Sequence, residues 1–145
     1  MALLESNDRE LKASVSESFL KTVSAFANYG TGSIIFGMAD DGTVQGLPDI
    51  DKECLRIEHM IHDRIHPQPR YSIEVDSEAG TVTLTVFEGP DKPYLCRGKA
   101  YIRNDSSTTE ADSLELKRLI LAGNHMSFDQ LPADSQNMEF GSLKQ

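Results

Sequence analysis

Phe19-Leu-Lys-Thr-Val-Ser-Ala-Phe-Ala-Asn-Tyr-Gly-Thr-Gly-Ser-Ile-Ile-Phe-Gly-Met-Ala-Asp-Asp-Gly42 sets the order of elements for the rest of the chain. Phe19, Leu20, Val23, Phe26 and Ala27 recur at helical spacing, so one stripe of a helix faces a core. Asn28, Gly30 and Gly32 end that helix, because glycine accepts the backbone conformations of a helix C-terminus. Ser33-Ile-Ile-Phe-Gly37 is a short apolar run with β-branched members and reads as a buried strand. Asp41-Gly42 is a hairpin turn signal, with Val44 to Leu47 as the returning strand.

Working outward, Arg9 to Ala13 reads as a strand, and Ser14, Ser16 and Ser18 form a link that can cap the central helix. Asp49 or Asp51 caps a second helix from about Lys52 to His66, with Leu55, Ile57, Met60, Ile61 and Ile65 on its buried side. Pro67 and Pro69 end it. Tyr71–Val75 and Thr81–Phe87 alternate as half-buried strands around Ala79-Gly80. Leu95 to Arg103 holds a hairpin turning at Arg97-Gly98-Lys99, and a last helix runs from about Asp112 to Ala122, stopped by Gly123. The fold class is α+β: a mixed, mostly antiparallel sheet of about five or six strands with three helices. Residues 1–123 form the domain, and 124–145 form a polar tail or the start of a linker.

Bulk composition narrows the function. A chain of 145 residues is one domain with room for a core. No apolar run reaches membrane-spanning length, and no basic-then-apolar leader is present, so the expectation is a cytoplasmic protein without a membrane partner. Cys54 and Cys96 lack CxxC spacing and read as thiols in a reducing compartment. The formal charge of −9 rules out nucleic-acid binding by the surface as a whole, since that binding rests on cations neutralising phosphates. Any such function needs a local basic patch.

One such patch stands out: Arg97, Lys99 and Arg103, flanked by Tyr94 and Tyr101, with Arg70 nearby in some foldings. Arginine beside aromatic rings suits phosphate contact with base stacking. The plainer reading is a charged hairpin that protects a sheet edge. The carboxylates offer a second chemistry. Glu10 and Lys12 share a strand face, Ser6-Asn7-Asp8 can turn Glu5 toward them, and Asp40 ends the central strand. Two or three carboxylates holding Mg²⁺ or Mn²⁺, with a lysine beside the phosphate, is what a metal-dependent phosphodiesterase needs. Solvated caps and an exposed charge pair explain the same residues without any metal.

Other motifs fall away. Gly30-Thr-Gly-Ser33 follows a helix instead of preceding one and lacks the Gly-Lys-Ser/Thr of a P-loop, so ATP binding is not expected. His59, His62 and His66 share one helical side but have no cysteine in register, and read as a solvated face. No Gly-x-Ser-x-Gly is present, and neither cysteine has an activating context.

Taken in order, the pieces resemble one family. Glu5-x4-Glu10-Leu-Lys12, Ser24-Ala-Phe-Ala-Asn28, Gly30-x-Gly32-Ser-Ile-Ile-Phe-Gly37, Asp40-Asp-Gly42 and Gly46-Leu47 are followed by Ile65-x-Pro67, Val86, Pro93-Tyr94, Tyr101-Ile-Arg103 and Ser107-Thr108-Thr109 with Ala111. This series resembles the Schlafen-type, AlbA-like domain, also described as a divergent AAA domain, over roughly Glu5 to Leu119. The resemblance implies nucleic-acid binding, with DNA or RNA as partner, and in bacterial members a role in transcriptional regulation at the N-terminus of a longer protein. Phe128-Asp-Gln-Leu-Pro132 resembles the linker to a further C-terminal domain. In the vertebrate branch a related domain is similar to a metal-dependent RNase that cuts tRNA with three carboxylates. Those map onto Glu5, Glu10 and Asp40, with Lys12 after the second. That activity goes with a duplicated, paired lobe and a broader basic channel, which one acidic lobe supplies only as a homo-oligomer. A third reading is a protein-interaction or oligomerisation domain whose edge strand or hairpin pairs with another copy. The Gly30-Thr-Gly32 spacing is looser than the family's adjacent glycines.

Overall fold

Apolar stripes and turn residues place eight strands and three helices within residues 5–128, the span described by the computed structural model. They are β1 (Arg9–Lys12), α1 (Phe19–Tyr29), β2 (Gly32–Phe36), α2 (Ile50–Arg64), β3 (Ile65–His66), β4 (Arg70–Asp76), β5 (Thr81–Phe87), β6 (Leu95–Cys96), β7 (Tyr101–Asn104), β8 (Ser107–Glu110) and α3 (Ser113–Phe128). Within the expected tail, residues 129–145 lie outside the described residues, as do residues 1–4.

The main sheet runs β1-β2-β5-β4, and β3-β6 and β7-β8 are separate two-stranded ribbons. β1 is parallel to β2, and every other pairing is antiparallel. This is the expected α+β class. α1 lies on the sheet and buries Phe19, Leu20, Val23 and Phe26 against Ile34, Phe36, Val82, Leu84 and Val86. Ile57 and Ile61 of α2 complete the same core. Phe19 meets Phe36 edge-on at a ring separation of 5.2 Å. Each of these buried side chains stabilises the fold by roughly 1.5–3 kcal/mol relative to exposure.

α1 also buries polar residues, and they tie it to the strands beyond. Asn28 Nδ2 donates to the carbonyl of Tyr94 at 3.0 Å, and its Oδ1 accepts from the Tyr94 N–H at 2.7 Å. Ser24 Oγ, one turn earlier, donates to the same carbonyl at 2.7 Å and accepts from the Tyr101 N–H at 3.2 Å. The Ser24–Asn28 spacing therefore serves as a side-chain splint for backbone that no strand pairs.

Three expectations are corrected. The turn after β2 exists, with the Thr43 N–H donating to Asp41 Oδ1 at 2.9 Å, but Val44 returns only as a single bridge to Met38. β2 pairs instead with β5. Gly37 (φ +96°) turns the chain away, where a Cβ would stand 3.0 Å from the carbonyl oxygen of Gly80. Leu55 of α2 is exposed, because two residues on from it Ile57 begins the stripe on the opposite side of the helix. Gly123 does not stop the last helix: α3 runs through it, so the expected 123/124 boundary falls inside a helix. A Cβ there would sit 2.0 Å from the carbonyl oxygen of Lys92, so this glycine lets the helix pass close to another segment.

The capping reading of α2 holds, with the Lys52 N–H donating to Asp49 Oδ1 at 3.2 Å. Arg97 (φ +52°) and Gly98 (φ +82°) turn the chain within the expected Arg97-Gly98-Lys99, but only a single bridge from Cys96 to Lys99 closes it, and β6 pairs with β3 instead of with the returning strand. β7, however, pairs with the unforeseen β8 across a turn at Asp105 (φ +54°).

Candidate functional site

Glu10 stands on β1 with its side chain 8% exposed. Its Oε1 accepts from Thr22 Oγ1 at 2.9 Å and from Arg103 Nη1 at 2.6 Å. Arg103 Nη1 also donates to Thr108 Oγ1 at 3.0 Å, and Thr108 lies 2.8 Å from Thr22. Because Thr22 donates to Glu10, Thr108 must donate to Thr22, which closes a ring of four side chains. Glu10 Oε2 is buried without a hydrogen-bond partner, 3.6 Å from Lys12 Nζ.

Arg103 is a correction to the surface role expected for it. Its side chain is 4% exposed. Beyond Glu10 and Thr108, Nε donates to the Ser6 carbonyl at 3.2 Å, and Nη2 donates to the carbonyls of Ser6 and Arg9 at 3.0 and 2.8 Å. All five N–H donors are thus used inside the fold, and none remains for a phosphate. Tyr94 is likewise buried, and Arg70 lines neither cleft described below.

The three carboxylates line a common cleft. A cleft of about 440 Å³ is lined by Glu5, Glu10, Lys12 and Asp40, with Lys21, Thr22 and Thr108 among its other walls. β1 supplies Glu10 and Lys12, the segment after β2 supplies Asp40, and Glu5 reaches back so that its Oε2 accepts the Leu11 N–H at 3.2 Å. Glu5, Glu10 and Asp40 are hard oxygen donors suited to Mg²⁺ or Mn²⁺, and the orphaned Glu10 Oε2 is the atom a cation would satisfy. Among the described residues, no three His, Cys, Asp or Glu side chains stand as a ready metal-ligand cluster. The three histidines of the α2 side are solvent-exposed.

A second cleft, of about 410 Å³, lies against the turn between β6 and β7, lined by Arg97, Lys99 and Tyr101 with Glu17, Ser18 and Lys21. Arg97 and Lys99 are more than half exposed. Glu17 bridges Arg97 and also Arg64, at 3.1 Å from the latter. The Arg64 hydrogen bond, with the charges of Arg64 and Arg97, holds the Glu17 carboxyl below its ordinary range. Burial pushes the Tyr101 hydroxyl up, so its ring meets the cleft as a neutral phenol. Lys99 lies 3.7 Å from Glu110.

Ser18 and Lys21 line both clefts, so the two adjoin there. Sequence reading missed Lys21. Among α1 residues from Phe19 to Asn28 it alone is exposed, and its ammonium stands 5.7 Å from the Tyr101 ring centroid without a carboxylate partner among the described residues. The signal was available: one lysine interrupts an otherwise apolar and small-residue helix. Glu17, the counter-charge to Arg97, carried no comparable signal, because its two arginines come from distant segments.

An α+β domain with a parallel β1–β2 edge and a carboxylate-lined cleft beside it is thereby defined. The chain belongs to the Schlafen, AlbA_2 family, whose sequence model matches residues 5–112. Among solved structures it is similar to the DIP2311 protein from Corynebacterium diphtheriae, with a TM-score of 0.53 and 18% identity over 77% of this chain and 26% of that one. That likeness shows the fold, and this chain spans only about a quarter of the DIP2311 chain. It is also similar to the N-terminal domain of a RecG-related protein from Nitrosomonas europaea (TM-score 0.47, 26% identity, 76% of this chain and 86% of that one). No curated protein matches. Among the described residues, no helix is long and apolar enough to cross a membrane.

Proposed function

We propose that the adjoining clefts form a nucleic-acid-binding surface, and that the chain is the N-terminal module of a transcriptional-regulator-like protein. The observation that carries this is the junction at Lys21. It links exposed Arg97 and Lys99 and the Tyr101 ring to Lys12, giving an aromatic-lined groove in which these cations and Lys21 stand among the carboxylates of Glu5, Glu10, Glu17 and Asp40. Backbone phosphates would meet the four cations, and a base would meet the Tyr101 ring. Family membership supports the reading. Fluorescence anisotropy with labelled single-stranded DNA, duplex DNA and tRNA across a salt series tests it. Affinity should fall steeply with salt, and Lys21→Glu and Lys99→Glu should each cost several-fold and flatten the slope. Absence of binding at low salt, or binding indifferent to both reversals, would overturn it.

A second reading is a metal-dependent endoribonuclease, favoured by the common cleft of Glu5, Glu10, Asp40 and Lys12 and by the orphaned Glu10 Oε2. A divalent ion held there would activate water for attack on a phosphodiester. Glu5, Glu10 and Asp40 would hold the ion, and Lys12 would offset phosphate charge. Incubation of tRNA with Mn²⁺, with Mg²⁺ and with chelator, beside Asp40→Asn, tests it. Asp40 is exposed, so its loss should spare the fold. Cleavage that chelator and the variant both abolish supports a nuclease, and intact tRNA in every lane removes it.

A further inference from the structure

The two edges of the main sheet are treated differently. On β1 outward backbone groups are bonded inside the chain: Arg103 Nη2 donates to the Arg9 carbonyl at 2.8 Å, and the Leu11 N–H donates to Glu5 Oε2 at 3.2 Å. On β4 nothing comparable exists. Among the described residues, no hydrogen bond from outside the β4–β5 pairing reaches the backbone of Arg70–Val75. β4 is also one of the two longest strands, at seven residues, with no proline in its run and with Val75 47% exposed. A long unblocked edge of this kind is a template for another strand.

The sequence of β4 says which strand. When two copies run antiparallel about Ile73, Arg70 stands opposite Asp76, Tyr71 opposite Val75, Ser72 opposite Glu74 and Ile73 opposite itself. The end charges match at both ends by symmetry, and the apolar residues fall on one face. Neither Arg70 nor Asp76 has an ion-pair partner of its own among the described residues. Arg70 is placed over the Phe87 ring at 5.9 Å, and Asp76 Oδ1 holds the hairpin turn through the Glu78 and Ala79 N–H groups. A parallel pairing would lose the Arg70–Asp76 match, and a slip by one residue would lose it and reverse the faces as well.

We propose that β4 is a homodimerisation edge, pairing antiparallel with β4 of a second copy about Ile73 to form one eight-stranded sheet. An isologous two-fold contact satisfies both edges at once and leaves none open. The dimer puts β1 and its carboxylate cleft at each far end of the sheet, so neither cleft is covered.

Sedimentation of the 145-residue chain over a concentration series tests the proposal. Mass should rise toward two chains, and Arg70→Glu, which opposes like charges at both ends, should shift the midpoint at least tenfold toward monomer. Far-UV circular dichroism separates that shift from unfolding. A register test needs no loss of stability. Ser72→Cys and Glu74→Cys proteins, mixed under mild oxidation, should cross-link to each other, since opposed residues lie about 4.5–5.5 Å apart. Each alone should cross-link far less, because its own copy stands one pair off. A one-chain mass at every concentration overturns the proposal. So does a dimer that Arg70→Glu leaves intact, or one whose mixed cysteine variants fail to join.

Discussion

The guanidinium of Arg103 and the carboxylate of Glu10 lie 2.6 Å apart across 93 residues of chain, both nearly fully buried. This pair links the β7–β8 ribbon to β1 and fixes one wall of the carboxylate cleft. Breaking a buried pair from one side leaves the other charge uncompensated, a loss of about 3–5 kcal/mol. Arg103→Ala should therefore destabilise the chain by about that amount in urea unfolding. Arg103→Lys should recover only a minor part, since an ammonium brings three donors to a site that uses five. Combined with Glu10→Gln, the loss should be well short of additive, as expected for partners in one network.

Asn28 and Tyr94 give a second test. Asn28→Ala removes both the acceptor for the Tyr94 N–H and a donor to its carbonyl. Unsatisfied buried groups cost about 1–3 kcal/mol each, with the Tyr94 carbonyl partly relieved by Ser24. The expected loss is about 2–4 kcal/mol, larger than for Ser24→Ala, and denaturant midpoints of the two variants decide the order.

These two networks mark the limit of what the sequence made legible. Local signals read well: the α1 stripe, the Asp49 cap, the β4–β5 hairpin and the Arg97-Gly98 turn all follow from residues close in the chain. Arg103 did not, because period-two alternation says that Tyr101 and Arg103 share a strand face but not what lies across from it. What lies across is the pair of carbonyls on Ser6 and Arg9, more than ninety residues earlier. Asn28 was read as a helix terminator for the same reason: its partner, Tyr94, is 66 residues away. A turn at Ser6-Asn7-Asp8 and the end of the central strand are local features, and Glu5, Glu10 and Asp40 line one cleft, but among the described residues they do not stand as a ready metal-ligand cluster. Gly123 was misjudged because a glycine that ends a helix and one that admits a neighbour look alike in sequence.

Gly123 supplies its own prediction. Alanine is the better helix former by about 1 kcal/mol, so propensity alone makes Gly123→Ala stabilising. The Cβ would meet the Lys92 carbonyl oxygen at 2.0 Å, and backbone cannot yield as a side-chain tip would. Overpacking of this kind costs about 1–3 kcal/mol. The net change should be destabilising, and a rise in thermal midpoint would show that α3 passes Lys92 less closely.

Glu17 decides how much of the groove is free. Its carboxyl is held below the ordinary glutamate range, first by the Arg64 hydrogen bond and then by the nearby arginine charges. A depressed carboxyl favours the clamped state above the unfolded pKa, and that preference is lost as pH falls through the folded value. Since Glu17 is solvent-exposed, the effect belongs to occupancy of the clamp and not to global stability. An NMR titration should place the Glu17 midpoint below that of an ordinary glutamate, and Arg64→Gln should bring it back up. Glu17→Gln should do at neutral pH what acid does to the wild type, releasing Arg97 toward the cleft. Nucleic-acid affinity should then rise several-fold, with a steeper salt dependence, because one more cation is available to phosphate. Unchanged or weaker affinity in that variant would mean that Glu17 positions Arg97 for binding instead of competing for it.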